Sequence, residues 1–219
     1  MKLQFIENIE RDIRNWQKSI TANSYGVDWK KFLPEDILAE NVRDDEYLKD
    51  YLEKKFYQSG KVSEFKKWIE SAVNSSQIQK DLEALMDKKF PFENVKVFIT
   101  TFHRAPYDVE QKFFYLIWCD SNKEKAITGI YHELMHFLFH IYYWDMCKKA
   151  GFSEIQTHDI KESLTALINP ILKQRGLPLD FGYPNHQILR ANLEKLRSEE
   201  KNFEIFLKKA LSHYSEIRQ

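Results

Sequence analysis

Residues 123–144 read KEKAITGIYHELMHFLFHIYYW. Ile127, Ile130, Leu134, Met135, Phe137, Leu138, Ile141 and Trp144 put apolar side chains on nearly every side of a 3.6-residue repeat, which predicts a central, buried helix. Its most apolar part, Leu134 to Trp144, is about half the length of a bilayer span and contains two histidines, so it reads as a core helix. Inside this helix stands His132-Glu133-Leu134-Met135-His136, an H-E-x-x-H pattern. Side chains four apart on an α-helix are separated by about 6 Å along the axis and roughly 40° around it, so both imidazoles can turn toward one cation. Zinc suits two imidazole nitrogens and leaves a coordination position for water. Glu133, next to the first histidine, would then lie beside that water and serve as its general base.

Moving outward from this helix, the runs Val95–Phe102 and Lys112–Cys119 are rich in β-branched and aromatic residues. With the turn-forming His103–Asp108 between them, they read as two strands of a small sheet spanning residues 94 to 119. Toward the amino terminus, residues 1–20, 35–57, 62–73 and 77–88 repeat apolar positions three and four apart, as amphipathic helices do. Leu33-Pro34-Glu35 is expected to open a helix; Asn23–Gly26 and Ser59-Gly60 are breaks. After the metal helix, predicted over about 123–148, a second helix covers about 159–169 and a carboxyl-terminal helical pair follows, with breaks at Gly151, Asn169-Pro170 and Gly176 to Pro184. The expected fold is α+β and mainly helical. Residues 1–219 form one domain, in which 1–90 make one wall of a cleft and 91–219 supply the strands, the metal-binding helices and the carboxyl-terminal helices.

With 33 basic and 33 acidic side chains, the chain has no net charge to draw it to nucleic acid or to anionic lipid, and neither is expected as a partner. No uninterrupted apolar run of signal-peptide length opens the sequence, so a soluble, cytoplasmic protein is expected, with Cys119 and Cys147 as thiols.

Zinc needs a third protein ligand. His140 continues the four-residue series, yet lies about 12 Å along the axis from His132, too far for an unbroken helix to bring both to one ion. Another zinc-peptidase pattern needs Gly and His where this chain has Phe139 and Tyr142. The following helix carries Glu162, 26 positions after His136. Asp145, Asp159 and His158 are alternatives.

His132-Glu133-x-x-His136 followed by Glu162 resembles the gluzincin branch of the zinc metallopeptidases (zincins), the thermolysin-like arrangement. The resemblance covers Ile127 to Asn169 and the preceding strand pair. It implies Zn²⁺ as cofactor, His132, His136 and Glu162 as ligands, Glu133 as general base, and a small sheet packed on the metal-binding helix. It also implies that the strand at 112–119 binds substrate main chain as an added strand, and that a Tyr or His from the carboxyl-terminal part steadies the oxyanion. Tyr183, His186 and Arg190 form a polar cluster after the Gly/Pro-rich loop, with His186 the first choice for that role and Tyr183 the second. One departure is Ala166, where the group often has an Asp that holds a ligand histidine; Asp159, Thr165 or Asn169 is expected to serve instead.

The expected activity is zinc-dependent hydrolysis of a peptide bond in a peptide or protein substrate. Two alternatives stand beside it: a cytoplasmic regulatory peptidase resembling the ImmA/IrrE family, acting on one protein partner, and a non-catalytic helical module with a structural zinc.

Overall fold

The run Asn94–Thr100 is buried at every position from Val97 onward, as a strand covered on both faces must be. In the computed structural model, which describes residues 1–24 and 26–218, it is the second of four strands in a sheet. In chain order the strands are β1 (Lys2–Ile6), the short hairpin pair β2 (Asn23–Ser24) and β3 (Val27–Asp28), β4 (Asn94–Thr100), β5 (Tyr107–Asp108) and β6 (Phe113–Ile117). The sheet order is β1-β4-β6-β5, with β4 parallel to both β1 and β6 and only β5 antiparallel. Tyr25, in the expected break at Asn23–Gly26, lies outside the described residues.

The expected helix over residues 1–20 is corrected at its start. Lys2–Ile6 alternates with period two, burying Leu3 and Phe5 while Lys2 and Gln4 face out, and joins the sheet as β1. Helix α1 (Ile9–Thr21) begins only after Asn8, whose side chain accepts the Arg11 amide at 2.8 Å. The helix expected to open at Pro34 is also displaced: Asp44 caps α2 (Asp45–Leu52) through the Glu46 and Tyr47 amides, and a π-helical turn, Glu53–Tyr57, continues it. Helices α3 (Lys61–Ala72) and α4 (Ser75–Met86) lie close to where periodicity puts them.

The remaining helices are α5 (Glu124–Tyr142), α6 (Trp144–Lys149), α7 (Glu154–Leu164), α8 (Asn169–Gln174), α9 (Gln187–Glu199), α10 (Phe203–Ser212) and α11 (Tyr214–Ile217). The expected metal helix is thus two helices, with Tyr143 between them. The ligand helix starts earlier than expected, because Ser153 and Gln156 form a capping box. A 3₁₀ turn over Thr165–Ile168 carries it to α8.

The chain divides into two compact units. One comprises residues 2–73 and 94–127, and so contains the sheet, α1, α2 and α3. Its core centres on Trp16, Leu48, Leu52, Phe65, Val97 and Phe114. Asp12 of α1 is fully buried there and accepts hydrogen bonds from the Thr100 hydroxyl (2.6 Å), the Thr101 hydroxyl (2.7 Å) and amide (3.0 Å), and the Tyr57 hydroxyl (3.1 Å). The other unit comprises Met1, Asn74–Glu93 and Thr128–Gln219, with a core that includes Leu134, Phe137, Leu138, Ile160, Leu193 and Phe206. Inside it, Asp81 of α4 receives the Tyr131 hydroxyl at 2.6 Å and both arms of the Arg175 fork at 2.7 Å.

Burial raises the Asp12 carboxyl from 3.8 to about 6 against the pull of its Thr100, Thr101 and Tyr57 hydrogen bonds. A raised folded-state pKa gives stability that is present in full below about 3.8 and lost as pH climbs through about 6. Asp12→Asn cannot ionise. In urea melts, the stability of the wild type relative to this variant is expected to fall by about 2–3 kcal/mol between pH 3.5 and pH 7; a gap that widens with pH would contradict the shift.

Candidate metal centre

The three side chains that could hold a metal all belong to the second unit. His132 and His136 sit one turn apart on α5 and share a face, with ring centroids 4.4 Å apart. Glu162 projects from α7 between them. Its Oε2 is 3.4 Å from His132 Nε2 and its Oε1 is 3.3 Å from His136 Nε2. One ligand atom from each residue lies within 4.8 Å of the other two; among the described residues this is the one group of three His, Cys, Asp or Glu side chains so arranged.

Burial sets the charge state of each member. His136 is pushed down to about 3 by desolvation and by the Lys161 cation, so its imidazole is neutral and ready to donate a lone pair. His132 goes the other way. Burial alone would lower it, but the charges and hydrogen bonds of Asp180 and Glu162 hold it well above its ordinary value. Glu162 is also desolvated, yet His136, Lys161 and His132 together keep it well below the usual carboxylate range. Lys161, itself buried, places Nζ 2.7 Å from Glu162 Oε1.

Asp180 is the partner that sequence reasoning missed. Its Oδ2 is 2.7 Å from His132 Nδ1, which commits that nitrogen to the carboxylate and turns Nε2 toward Glu162. Asp180 lies in the loop after α8, and the chain locks it in place from several directions. Asn169 exchanges a reciprocal pair of bonds with its backbone, at 2.8 and 3.0 Å, and Gly182 donates its amide to Oδ1 at 2.8 Å. Arg190 donates to the Asp180 carbonyl, to Thr165 Oγ1 at 2.8 Å and to the Glu162 carbonyl at 3.3 Å. Gly182 has φ +59°, and a Cβ there would come within 2.5 Å of Arg190 Nη1, so the position needs glycine for both conformation and space. The only sequence trace of Asp180 is an acidic residue within Leu177-Pro178-Leu179-Asp180-Phe181-Gly182, where its neighbours would otherwise be expected to bury no charge.

Of the partners expected for the ligand histidine, Asn169 and Thr165 act instead behind Asp180 and Glu162. Asp159 faces His186, with Oδ1 3.1 Å from Nε2, and takes the Tyr214 hydroxyl at 3.4 Å on its other oxygen. His186 is therefore in a histidine–carboxylate pair, only 3% exposed, rather than in the His132–His136–Glu162 cluster. Tyr183 stands edge-on to His186 at 5.7 Å. Arg190, the third member of that polar cluster, is buried and braces the loop from inside. The alternative ligands also lie elsewhere: Asp145 is exposed on α6, and His158 meets Trp144 edge-on at 4.9 Å. His140 stacks flat on Trp144 at 4.3 Å, one turn beyond the cluster.

Glu133 completes the arrangement. Its residue is 8% exposed, burial raises its carboxyl to about 8 against the opposing charges of His132 and Lys161, and its buried Oε2 has no hydrogen-bond partner. A desolvated carboxyl oxygen left unsatisfied is costly in an ordinary core. Two imidazole nitrogens, one carboxylate and a neighbouring uncommitted carboxylate oxygen form a donor set that suits a divalent ion and a proton acceptor beside it.

No family model matches the chain, and neither the curated proteins nor the solved structures compared with it contain a match.

His136→Ala and Glu162→Ala are expected to abolish tight binding of a divalent ion, measured by competition with a chromophoric chelator. Asp180→Asn, which keeps the shape but loses the charge on His132, should weaken it about 10- to 100-fold. Unchanged affinity in all three would rule out the cluster as a metal centre.

Proposed function

We propose that this chain is a zinc metallopeptidase of the gluzincin type, with His132, His136 and Glu162 holding the ion and Glu133 as general base. The observation that carries the reading is the ligand arrangement of His132, His136 and Glu162, with the residue adjoining His132, Glu133, keeping a buried Oε2 that has no hydrogen-bond partner. Two further features support it. A set of three protein ligands leaves a fourth tetrahedral position for water or substrate, whereas structural zinc sites are closed by four. The donor types, two nitrogens and one carboxylate oxygen, suit zinc better than the all-oxygen sets that calcium or magnesium prefer.

When bound, zinc supplies Lewis acidity to a scissile carbonyl and to a water molecule. The rest is the work of the chain. Asp180, accepting from His132 Nδ1, aims Nε2 of that ring; Glu162 is aimed by Lys161 and by the helix that carries it. Glu133 takes a proton from the attacking water at Oε2 and gives it to the departing amide nitrogen. His186 has no part in this proposal, since its Nε2 faces Asp159.

Protein purified without chelator is expected to carry one equivalent of zinc in both the wild type and Glu133→Gln. On a peptide library the variant should lose about 10²- to 10⁴-fold in kcat/KM. Zinc at one equivalent without turnover by the wild type would favour a structural ion instead, and absence of zinc would end the reading.

A further inference from the structure

Lys161 is an unusual neighbour for a metal ligand. It precedes Glu162 in α7, so the two side chains leave the helix about 100° apart, yet the lysine folds back until Nζ lies 2.7 Å from Glu162 Oε1. It is 2% exposed, and Glu162 is 5% exposed. A lysine this deep in a protein is held there by charge, because desolvating an ammonium is costly unless an anion answers it.

The two carboxylates that contact the imidazoles are each answered by a cation of the chain itself. Glu162 has Lys161; Asp180 has Arg190, whose Nη2 is 3.6 Å from Oδ1. A divalent ion at His132, His136 and Glu162 therefore enters surroundings where acidic charge is already matched, and it competes with Lys161 for the same carboxylate. The field of Lys161 also reaches Glu133, His136, His140 and His158.

We propose that Lys161 is a resident counterion of the metal centre: its ammonium and the bound ion share Glu162, so the lysine keeps the site assembled in the metal-free chain and limits how tightly metal is held. The consequence is a centre that survives loss of its ion without unfolding and whose occupancy follows the supply of metal. This rests on the metal-centre part of the proposed function and is independent of whether the chain cleaves peptides.

The test uses Lys161→Met and Lys161→Gln in the full chain, expressed with added zinc. Zinc affinity is read by chelator competition, and thermal melting is followed with and without zinc. Both variants should bind zinc about 10- to 100-fold more tightly than the wild type, because one like charge has gone from beside the ion. Their metal-free forms should melt lower than the metal-free wild type, since Glu162 has lost the ammonium among its partners, and zinc should raise their melting temperature by more than it raises that of the wild type. Equal or weaker zinc affinity would overturn the proposal. So would failure of both variants to fold even with zinc, which would make Lys161 a core residue that the ion cannot replace. A wild type that binds no divalent ion would remove the metal centre as well. Wild-type binding with unaltered affinity in the variants would sink the counterion alone.

Discussion

The buried carboxylate of Glu162 is the constraint around which the second unit is arranged. It is taken out of water on α7 and must be answered there, and three cationic or donor groups converge on it: the rings of His132 and His136 and the ammonium of Lys161. A buried carboxylate without such partners would cost several kcal/mol and would either protonate or expel the helix from the core. The packing of α7 against α5 is thus tied to the chemistry of the site. Ile160 and Leu164 are buried on α7 as well, about half a turn of the helix away from Glu162, so α7 is enclosed on the side of the imidazoles and on the side opposite them.

The carboxyl-terminal loop is organised by the same logic at one remove. Asp180 fixes one imidazole, and Asn169, Gly182 and Arg190 fix Asp180. Thr128 of α5 donates to the Pro178 carbonyl at 2.6 Å, tying the loop to the helix that carries the histidines. Each bond is worth little alone, but together they leave the ring of His132 one orientation. The first unit solves a similar problem differently. Asp12 is equally buried but is met by hydroxyls and one amide, with no cation among those contacts, and its affinity for a proton rises where that of Glu162 falls. Burial is common to both. The sign of the outcome is set by whether a positive charge is present.

Much of the fold could be read from local pattern. The helices over α3, α4 and α5, the strands β4 and β6, and the pairing of His132 with His136 follow from repeats of 3.6 and 2 and from the rise of a helix turn. Where reading failed, short-range and long-range signals competed. Lys2–Ile6 is five residues long and merges with the helix that follows it, so the alternation of Leu3 and Phe5 is outweighed by the longer helical period; its partner, β4, is about ninety positions away. Pro34 is a good first helical residue, but Asp44 offers two amides a better cap.

The sequence alone determined that two imidazoles and a free carboxylate would share one helix face, because that follows from backbone geometry within five residues. It also carried Glu162 as a candidate, among others. Tertiary structure decided which acidic group closes the cluster, that Asp180 rather than Asp159, Thr165 or Asn169 holds His132, that His186 pairs with Asp159, and that Lys161 bends onto its own neighbour. Those outcomes depend on distances between segments tens of residues apart and on which charges are left without water. Neither quantity has a period along the chain.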